Sequence, residues 1–288
     1  VFYQRGGFKN ESHSKQKRFL LKSADDYYKF LDFVKIQAKN YPHVLVGSGI
    51  HSLRAVSPEE IIETCQNLTQ QQPFHIHIAE QRKEVQECNQ VLKKNPIQWL
   101  LDNVEVNEYY NLIHSTFIDP SEMNGLIKSK ANVVLCPSTE ANLGDGFFPF
   151  KEYNKQGGRW TIGSDSHIGL SPLEELRWLD YGERLKNNER NPLCQDENDD
   201  SGDILFHRAL THSKFALGGT GEWQFKENDF HTGIVINNNH PLFYGKPKES
   251  ILSSLIFSGQ SHHLLGVIMN GEWMVIEGKH KFNSSILK

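Results

Sequence analysis

Short apolar runs alternate with amphipathic stretches through most of the chain. Apolar runs of about four to eight residues between turn residues are typical of buried strands, whereas apolar positions with a period near 3.6 residues are typical of helices. The runs predict strands at 1–4, 43–50, 74–79, 111–117, 132–136 and 160–163. Helical patterns follow most of them, and repeated strand-then-helix units indicate parallel strands joined by crossover helices.

Three of the predicted helices share a start signal. Ser57, Asp119 and Ser171 each stand directly before a proline and three residues before a glutamate. A short polar residue caps the first backbone N–H groups, proline suits the first helical position, and the glutamate can complete a capping box. Two further helices are predicted, one from about residue 81 and one over 203–213.

The pattern changes near residue 230 to short β-like runs, at 233–236, 255–257, 265–269 and 273–276. Asn270 and Gly271 separate the last two runs, and this pair strongly indicates a two-residue hairpin turn, because both residues tolerate positive φ. We therefore predict a partial barrel over 1–229 and a small β appendage over 230–288.

Polar side chains follow four predicted strands where those strands end: His51, His77, His114 and Asp165. A (β/α)8 barrel carries its chemistry on this one face, whereas a doubly wound sheet uses strand ends only near a switch point. The expected fold class is α/β, a TIM-type (β/α)8 barrel lacking its first strands, with a small C-terminal β appendage. Six strands leave a closed barrel two short, so we expect the missing strands before Val1.

Composition excludes several classes of partner. The formal net charge is -4, and basic and acidic residues are mixed along the chain, which argues against a nucleic-acid surface. No apolar run approaches the roughly 20 residues that span a bilayer. The four cysteines are scattered without paired spacing, which favours a reducing compartment, and we expect a cytoplasmic protein.

The strand at 74–79 carries the sharpest chemical signal. His75 and His77 lie on one face of it, and Glu80 follows its end. Neutral imidazole is the commonest protein ligand for zinc-like ions. A carboxylate just beyond the strand could move a proton for a metal-activated water without binding the metal. The alternative is a buried strand with one hydrogen-bonded histidine and a surface glutamate.

The other candidates also have two interpretations each. His114 in an apolar strand could be structural, and Asp165 could cap a helix or could ligate a metal and accept a proton. Arg54 offers a rigid fork for a carboxylate, with His51 as a second donor, although both could lie free on the surface. The remaining histidines show no shared spacing and are interpreted as surface or structural residues.

Together these residues resemble the amidohydrolase superfamily, in which H-x-H-x-x-E on one strand is followed by a histidine on the next and by Ser-Asp-Ser-His near the end of the barrel. Two segments narrow the match: CPSTEANLGDG at 136–146 and GSDSHIGLSPLEELRWLDYG at 163–182. They look like the formimidoylglutamate deiminases of histidine degradation. The resemblance runs from Tyr3 to about residue 259, nearly the whole chain.

The resemblance implies one zinc ion with His77 and Asp165 among its ligands, although iron or manganese could use the same groups. It makes Glu80, His114 and Asp165 the catalytic residues. Glu80 would relay a proton from water to the substrate nitrogen, and His114 would stabilise the tetrahedral intermediate. Asp165 would be both ligand and base.

The implied enzyme is a zinc-dependent amidohydrolase acting on C–N bonds other than peptide bonds. It would hydrolyse N-formimidoyl-L-glutamate to N-formyl-L-glutamate and ammonia, with His51 and Arg54 binding the substrate's carboxylate. The family's first strand supplies a further HxH metal pair, which we expect upstream of Val1, so the chain alone should bind metal weakly. By the same resemblance, 230–288 would form the C-terminal part of a β-sandwich.

Two alternatives stay open: an aminohydrolase acting on a guanine- or nucleoside-like heterocycle, and an inactive fragment or non-catalytic binding protein. A small molecule with carboxylates is the expected partner, with neither nucleic acid nor a membrane. Barrel enzymes with such appendages often dimerise, so a homodimer is the expectation by analogy.

Overall fold

Parallel strands alternate with helices in the central part of the chain, as the sequence pattern predicts. The computed structural model describes residues 1–9, 12–41, 44–67, 72–196, 199–219 and 232–283. In chain order its central strands are β1 (Ser48–Ser52), β2 (Phe74–Ile78), β3 (Tyr110–His114), β4 (Asn132–Leu135) and β5 (Arg159–Ile162).

Helices connect and follow these strands. They are α1 (Ala24–Ala38), α2 (Pro58–Asn67), α3 (Arg82–Leu92), α4 (Pro96–Asn103), α5 (Pro120–Ser129), α6 (Pro137–Leu143), α7 (Phe150–Lys155), α8 (Pro172–Asn187), α9 (Ser201–Leu217) and α10 (Ile251–Ser258). Short 3₁₀ turns lie at Lys17–Phe19, Lys248–Ser250 and Ser261–His263.

The five central strands form one parallel sheet in the order β1-β2-β3-β4-β5. Each strand pairs with its sequence neighbour, so Ile76 lies opposite Leu112 and Leu112 lies opposite Val133. The register shifts once, between Ile50 and Ser52 in β1. All strands therefore end at the same edge of the sheet. This α/β arrangement with sequential parallel strands confirms the predicted fold class at the level of strand order.

The predicted strand at 1–4 is wrong in extent, because only Phe2 pairs with the sheet. A parallel bridge joins Phe2 to Ile50, with the Phe2 N–H donating to the Gly49 carbonyl over 2.7 Å. The backbone N–H groups of Gln4 and Arg5 both donate to the carbonyl of Ala55 instead, which takes the chain away from the ladder.

The strand predicted at 43–50 begins late, at Ser48, whose N–H donates to the Pro73 carbonyl. Residues 42 and 43 lie outside the described residues. At the next residue, Gly49, the backbone of β2 lies too close to leave room for a side chain. A Cβ at Gly49 would lie 2.6 Å from the carbonyl oxygen of His75, so only glycine fits there.

The core beneath the sheet is apolar and closely packed. Trp160 is fully buried, and its ring meets Phe150 edge to face with centroids 4.8 Å apart. The indole N–H donates to Asn154 Oδ1 over 3.0 Å, so the polar atom of the largest buried side chain is satisfied. Burial of such side chains is the main stabilising term for the fold.

All three helix start signals act as caps, with Ser57 accepting from the Glu60 N–H over 3.4 Å, and a full capping box forms at α5. Asp119 caps α5 in a full capping box with Glu122, and Ser171 accepts from the Glu174 N–H at the start of α8. At α2, the Ser57 hydroxyl donates to Glu60 Oε2 over 2.8 Å. Glu60 thus binds the capping side chain rather than the capping backbone.

Contacts divide the chain into two compact units. One contains Val1–Gly169 with Arg208–Gly221, and the other contains Leu170–His207 with Glu222–Lys288. The boundary predicted from sequence, 1–229 against 230–288, stays a prediction, as does the sandwich assignment of the second part.

The second of these units, called the C-terminal unit below, contains four strands. They are β6 (Gly233–Ile236), β7 (Leu264–Met269), β8 (Glu272–Ile276) and β9 (Lys279–His280). They form an antiparallel sheet in the order β6-β7-β8-β9. The predicted hairpin is confirmed. Asn270 and Gly271 both adopt positive φ, 51° and 79°, as a tight turn with the twist of its strands requires.

The strand predicted at 255–257 is wrong, because these residues lie in α10. Leu255 and Ile256 are buried there, and the helix ends at Ser258 with Gly259 as its C-cap. The Arg177 guanidinium donates to the carbonyls of Ile256 and Gly259, both over 2.7 Å. A short fully apolar run fits a buried helix as well as a strand, so period alone does not separate them.

All four cysteines are free thiols, with Cys88 and Cys136 buried. Among the described residues, no helix combines the length and the apolar character needed to cross a membrane.

Replacing the cap of α5 tests the helix signal. Asp119 Oδ1 accepts from the backbone N–H groups of Ser121 and Glu122, over 2.8 and 2.9 Å. Asp119→Ala should lower the free energy of unfolding by about 1 kcal/mol, because two donors lose their acceptor. The measurement is the urea midpoint. Ser121→Ala, which keeps its backbone N–H, is the control and should change the midpoint little. Equal midpoints for both variants would contradict the assignment.

Candidate metal centre and active site

Three ligand-type side chains meet at the carboxyl edge of the parallel sheet. His77 lies in β2, His114 ends β3 and Asp165 follows β5. One ligand atom from each lies within 4.8 Å of the others. Because the strands are parallel and in register, residues far apart in sequence come together at this edge.

The backbone at these strand ends adopts an unusual conformation. Ala79, His114 and Ser115 have φ of 52°, 71° and 53°, and Asp165 has φ of 38°. Non-glycine residues rarely occupy positive φ, and such residues concentrate at functional sites. The conformation stops the regular alternation of side chains just where the ligand-type groups occur.

The His77 ring is held by the backbone of the neighbouring strand. Its Nδ1 lies 2.8 Å from the carbonyl oxygen of His51, so Nδ1 carries the proton and donates it there. Nε2 of His77 points to the cluster, 3.3 Å from Asp165 Oδ1, and a metal ion between the two atoms would take the place of the hydrogen bond that they share. A histidine oriented through its second nitrogen in this way is typical of metal ligands.

His114 is fully buried and faces a buried carboxylate. Its Nδ1 lies 3.1 Å from Glu140 Oε1, which also accepts from the Cys136 N–H over 2.9 Å. Burial opposes protonation of His114, but Glu140, with Glu80 and Asp165, outweighs it, so the pKa of His114 is raised above its usual value.

The other nitrogen of His114, Nε2, faces the same cluster. Within the described residues, Nε2 of His114 is buried without a hydrogen-bond partner. A buried polar atom without a partner is costly and rare. Since His77 Nε2 and an Asp165 oxygen are nearby, a cation held by those two atoms would bring its water or substrate within hydrogen-bond reach of this nitrogen. The residues present therefore fit a divalent metal ion.

Asp165 is ionised at neutral pH. Its hydrogen bond with His77 lowers the pKa of this carboxyl, which outweighs the opposite effect of partial burial. His114 adds to the lowering through its charge. An anionic oxygen beside two imidazoles is a ligand set that zinc-like ions accept.

Glu80 lies next to this cluster and interacts electrostatically with His114. Its Oε1 is 3.9 Å from His114 Nε2, and its side chain is 12% exposed. The backbone N–H of Glu80 donates to Glu84 Oε2 over 2.9 Å. This contact with the first turn of α3 holds the residue at the edge of the site, where solvent and substrate can reach the carboxylate.

Arg54 is close to two carboxylates. Its guanidinium nitrogens lie 3.5 Å from Glu84 Oε2 and 3.9 Å from Glu80 Oε2. Burial raises the pKa of Glu84, and the charge of Arg54 opposes that rise. With 26% of its side chain exposed, Arg54 still offers part of its fork to an incoming anion.

His51 lies between two rings, stacked on Tyr3 and tilted relative to His77. Its ring centroid lies 4.4 Å from that of Tyr3 and 5.1 Å from that of His77. Burial, and the charges of His77 and Arg54, lower the pKa of His51 to about 4. His51 is therefore neutral at physiological pH and can contribute a hydrogen bond but no charge.

The structure brings together all the candidates except one. His51, His77 and His114 share one edge of the sheet with Arg54 and Glu80, and Asp165 completes the group. His75, on the same strand as His77, is separate: its Nε2 lies 2.9 Å from the Ala216 carbonyl. That contact makes His75 a structural residue.

Two carboxylates in the site were not among the predicted residues. Glu140 holds His114, and Glu84 holds the Glu80 backbone and pairs with Arg54. Both sit in the first turn of a helix, where glutamate ordinarily serves the helix end, so local sequence gives no signal of a role in the site.

Two known deaminases are similar to this chain in sequence. The chain is 38% identical over 97% of its length to the formimidoylglutamate deiminase of Pseudomonas aeruginosa. It is 29% identical over 72% of its length to a 5-methylthioadenosine/S-adenosylhomocysteine deaminase of Pyrococcus furiosus. It spans 61% and 48% of the lengths of these two relatives.

Solved structures share the fold. An amidohydrolase from Brucella melitensis superposes with a TM-score of 0.86 at 32% identity, over 99% of this chain and 62% of that one. An adenosine deaminase from Xanthomonas campestris with bound zinc superposes with a TM-score of 0.77 at 19% identity, over 91% and 59%. At the lower identity the likeness shows the fold alone.

The family follows from the sequence profile together with this geometry. Residues 22–195 match the profile of the amidohydrolase family, which is more than half of the chain. The matched part includes all five strands of the parallel sheet and every residue at its carboxyl edge described above. The chain belongs to the amidohydrolase family.

Proposed function

We propose that the chain supplies part of the active site of a metal-dependent deiminase that hydrolyses the C=N bond of N-formimidoyl-L-glutamate. The main support is that His77, His114 and Asp165 lie together. The carboxylate of Glu80 and the guanidinium of Arg54 lie beside them. The likeness to the P. aeruginosa formimidoylglutamate deiminase supports this choice of substrate.

One zinc ion is the proposed cofactor, with other divalent ions as alternatives. His77 and Asp165 would hold it, and the buried His114 Nε2 would face the substrate beside the ion. The structurally similar adenosine deaminase from X. campestris is described with bound zinc. A bound ion would polarise a water molecule and lower its pKa to about 7.

Glu80 is the proposed proton carrier. In the reaction the oxygen of water bonds to the formimidoyl carbon, the bond from that carbon to its terminal nitrogen breaks, and the nitrogen leaves as ammonia. Both protons of the water end on the departing nitrogen: Glu80 would carry the first, and Asp165, as the base, would accept the second as the carbonyl of the product forms. Glu80 Oε1 lies 3.9 Å from His114 Nε2, so a group held beside His114 is within its reach.

His114 and Asp165 take complementary roles in this proposal. The raised pKa of His114 favours an N–H that can donate to the negative charge developing on the substrate. Glu140 keeps that ring in one orientation through Nδ1. Asp165 remains an acceptor, because its lowered pKa keeps the carboxylate ionised.

Arg54 and His51 are the proposed grip for the substrate's carboxylate. Arg54 supplies the charge and the fork, and the neutral His51 supplies one hydrogen bond. Arg54 pairs with Glu80 and Glu84 in the structure, so a substrate carboxylate would share the guanidinium with them. A nucleobase would need no such cation, which is why the acidic substrate is preferred over a guanine- or nucleoside-like one.

A substrate panel tests the proposed reaction. Ammonia release is measured from zinc-loaded protein with N-formimidoyl-L-glutamate, guanine and 5-methylthioadenosine. We expect release from N-formimidoyl-L-glutamate, and a loss of about a hundredfold or more in kcat for Glu80→Gln because the proton carrier is removed. The control is Glu87→Gln, on the exposed face of α3 beside Lys83, which should keep full activity.

Two outcomes of that panel would contradict the proposal. Faster release from guanine or 5-methylthioadenosine would favour the heterocycle aminohydrolase. No release from any of the three, with zinc bound and the protein folded, would favour the inactive or non-catalytic alternative.

Zinc affinity tests the ligand assignment separately from activity. His77→Ala should weaken zinc binding at least tenfold, because it removes the nitrogen whose orientation is fixed by the His51 carbonyl. The measurement is competition with a chromophoric chelator. His75→Ala is the matched control, since this histidine lies on the same strand but binds a backbone carbonyl. Equal weakening in both variants would rule out His77 as a specific ligand.

Substitution of Arg54 tests the carboxylate grip. Arg54→Met should raise KM for N-formimidoyl-L-glutamate at least tenfold with a smaller effect on kcat, because the lost contact is to the non-reacting end of the substrate. Arg54→Lys keeps the charge without the fork and should give an intermediate KM. Arg82→Met is the control, since Arg82 stacks on Phe117 instead. An unchanged KM in Arg54→Met would mean that the assignment is wrong.

A further inference from the structure

Three histidines form a second cluster in the C-terminal unit. His240 lies beyond β6, and His262 and His263 lie in the 3₁₀ turn before β7. The ring centroid of His263 is 4.3 Å from that of His240 and 4.0 Å from that of His262. One nitrogen from each of the three rings lies within 4.8 Å of the others.

The backbone of the sheet holds this cluster together. β6 pairs antiparallel with β7, so the chain leaving β6 lies beside the chain entering β7. The N–H of Asn237 donates to the His263 carbonyl over 3.0 Å, and the N–H of His240 donates to the Asn237 carbonyl over 3.1 Å. Residues more than twenty positions apart are thereby fixed next to each other.

We propose that His240, His262 and His263 form a transition-metal site of the zinc class, separate from the one at the parallel sheet. Three imidazoles suit zinc, nickel and copper ions and do not suit magnesium or calcium. Tetrahedral zinc with Zn–N bonds of about 2.0–2.1 Å places its nitrogen ligands roughly 3.3 Å apart. Side-chain rotations close the remaining gap, and a fourth position stays open to water.

The hydrogen bonds of His263 suit this role. Its Nδ1 accepts from the Gln260 N–H over 2.9 Å and lies 3.2 Å from the Gln260 carbonyl oxygen, which can accept the ring proton when Nε2 binds a metal. The ring is buried, with 5% of the residue exposed. One ligand is therefore anchored before any ion binds.

The other two rings are free to adjust. His262 is exposed and His240 is half-buried. His240 Nδ1 accepts from the Leu242 N–H over 3.2 Å. Ligation through Nε2 would move the ring proton to Nδ1 and so break this long hydrogen bond.

The ion would join the end of β6 to the start of β7. Ligands from both sides of a strand pair hold it closed, and a metal that binds only the folded state stabilises that state. We therefore expect a structural effect, a rise in the melting temperature on addition of zinc. This effect does not depend on the reaction proposed for the other site.

Calorimetric titration with Zn²⁺ tests the site in the full 288-residue chain carrying His77→Ala and Asp165→Asn. These two substitutions remove the first cluster, so the remaining binding reports on the second. We expect one equivalent of zinc to bind. Adding His262→Gln, or in a separate variant His240→Gln, should weaken that binding at least tenfold. Adding His207→Gln, at an exposed histidine of the same unit, should leave it unchanged.

The outcomes that overturn the site are specific. They are no saturable zinc binding in the background chain, or equal affinity with and without His262→Gln. They also include equal weakening by His262→Gln and His207→Gln. Because His262 is exposed, its substitution should leave the fold intact, which the circular dichroism spectrum of each variant checks. Deiminase activity is not the readout, so failure of this site and failure of the proposed function are distinguishable.

Discussion

The parallel register of β1–β5 is the constraint on which the rest of the site depends. In-register pairing places Ile78 opposite His114 and ends every strand at one edge. A shift of one residue in β2 would turn both His77 and His75 to the opposite face and bring isoleucine side chains to this one. Close approach at Gly49 fixes the spacing of β1 and β2, and so the distance between the His51 carbonyl and the His77 ring.

Charge balance at that edge is a second constraint. It is met because each buried carboxylate there has a cationic or N–H partner. Glu140 and Glu84 are nearly inaccessible, with side-chain exposures of 8% and 2%. Each carboxylate has partners: His114 and a backbone N–H for Glu140, and Arg54 and a backbone N–H for Glu84. Removing a partner would leave a buried charge, which costs far more than the pair contributes. The buried carboxylates therefore fix the positions of the groups proposed to react.

Much of the sheet and of the site could be predicted from sequence, because both follow local rules. Apolar runs located four of the five paired strands closely, and their ends located His77, His114 and Asp165. The misses have physical causes: Phe2 makes one bridge because the next N–H groups bond elsewhere, and the apolar run at 255–257 is helical. Glu140 and the clustering of His240 with His263 depend on contacts between distant segments, which residue patterns do not record.

The hydrogen bond from His77 to the carbonyl of His51 has a consequence for how binding events communicate. The same short stretch of chain carries that carbonyl and, three residues later, the guanidinium of Arg54. In the proposed site, an anion that moved Arg54 would pull on the peptide that orients His77. Binding at the two positions would then be linked, and linkage is reciprocal: the factor by which the anion changes metal affinity is the factor by which the metal changes anion affinity.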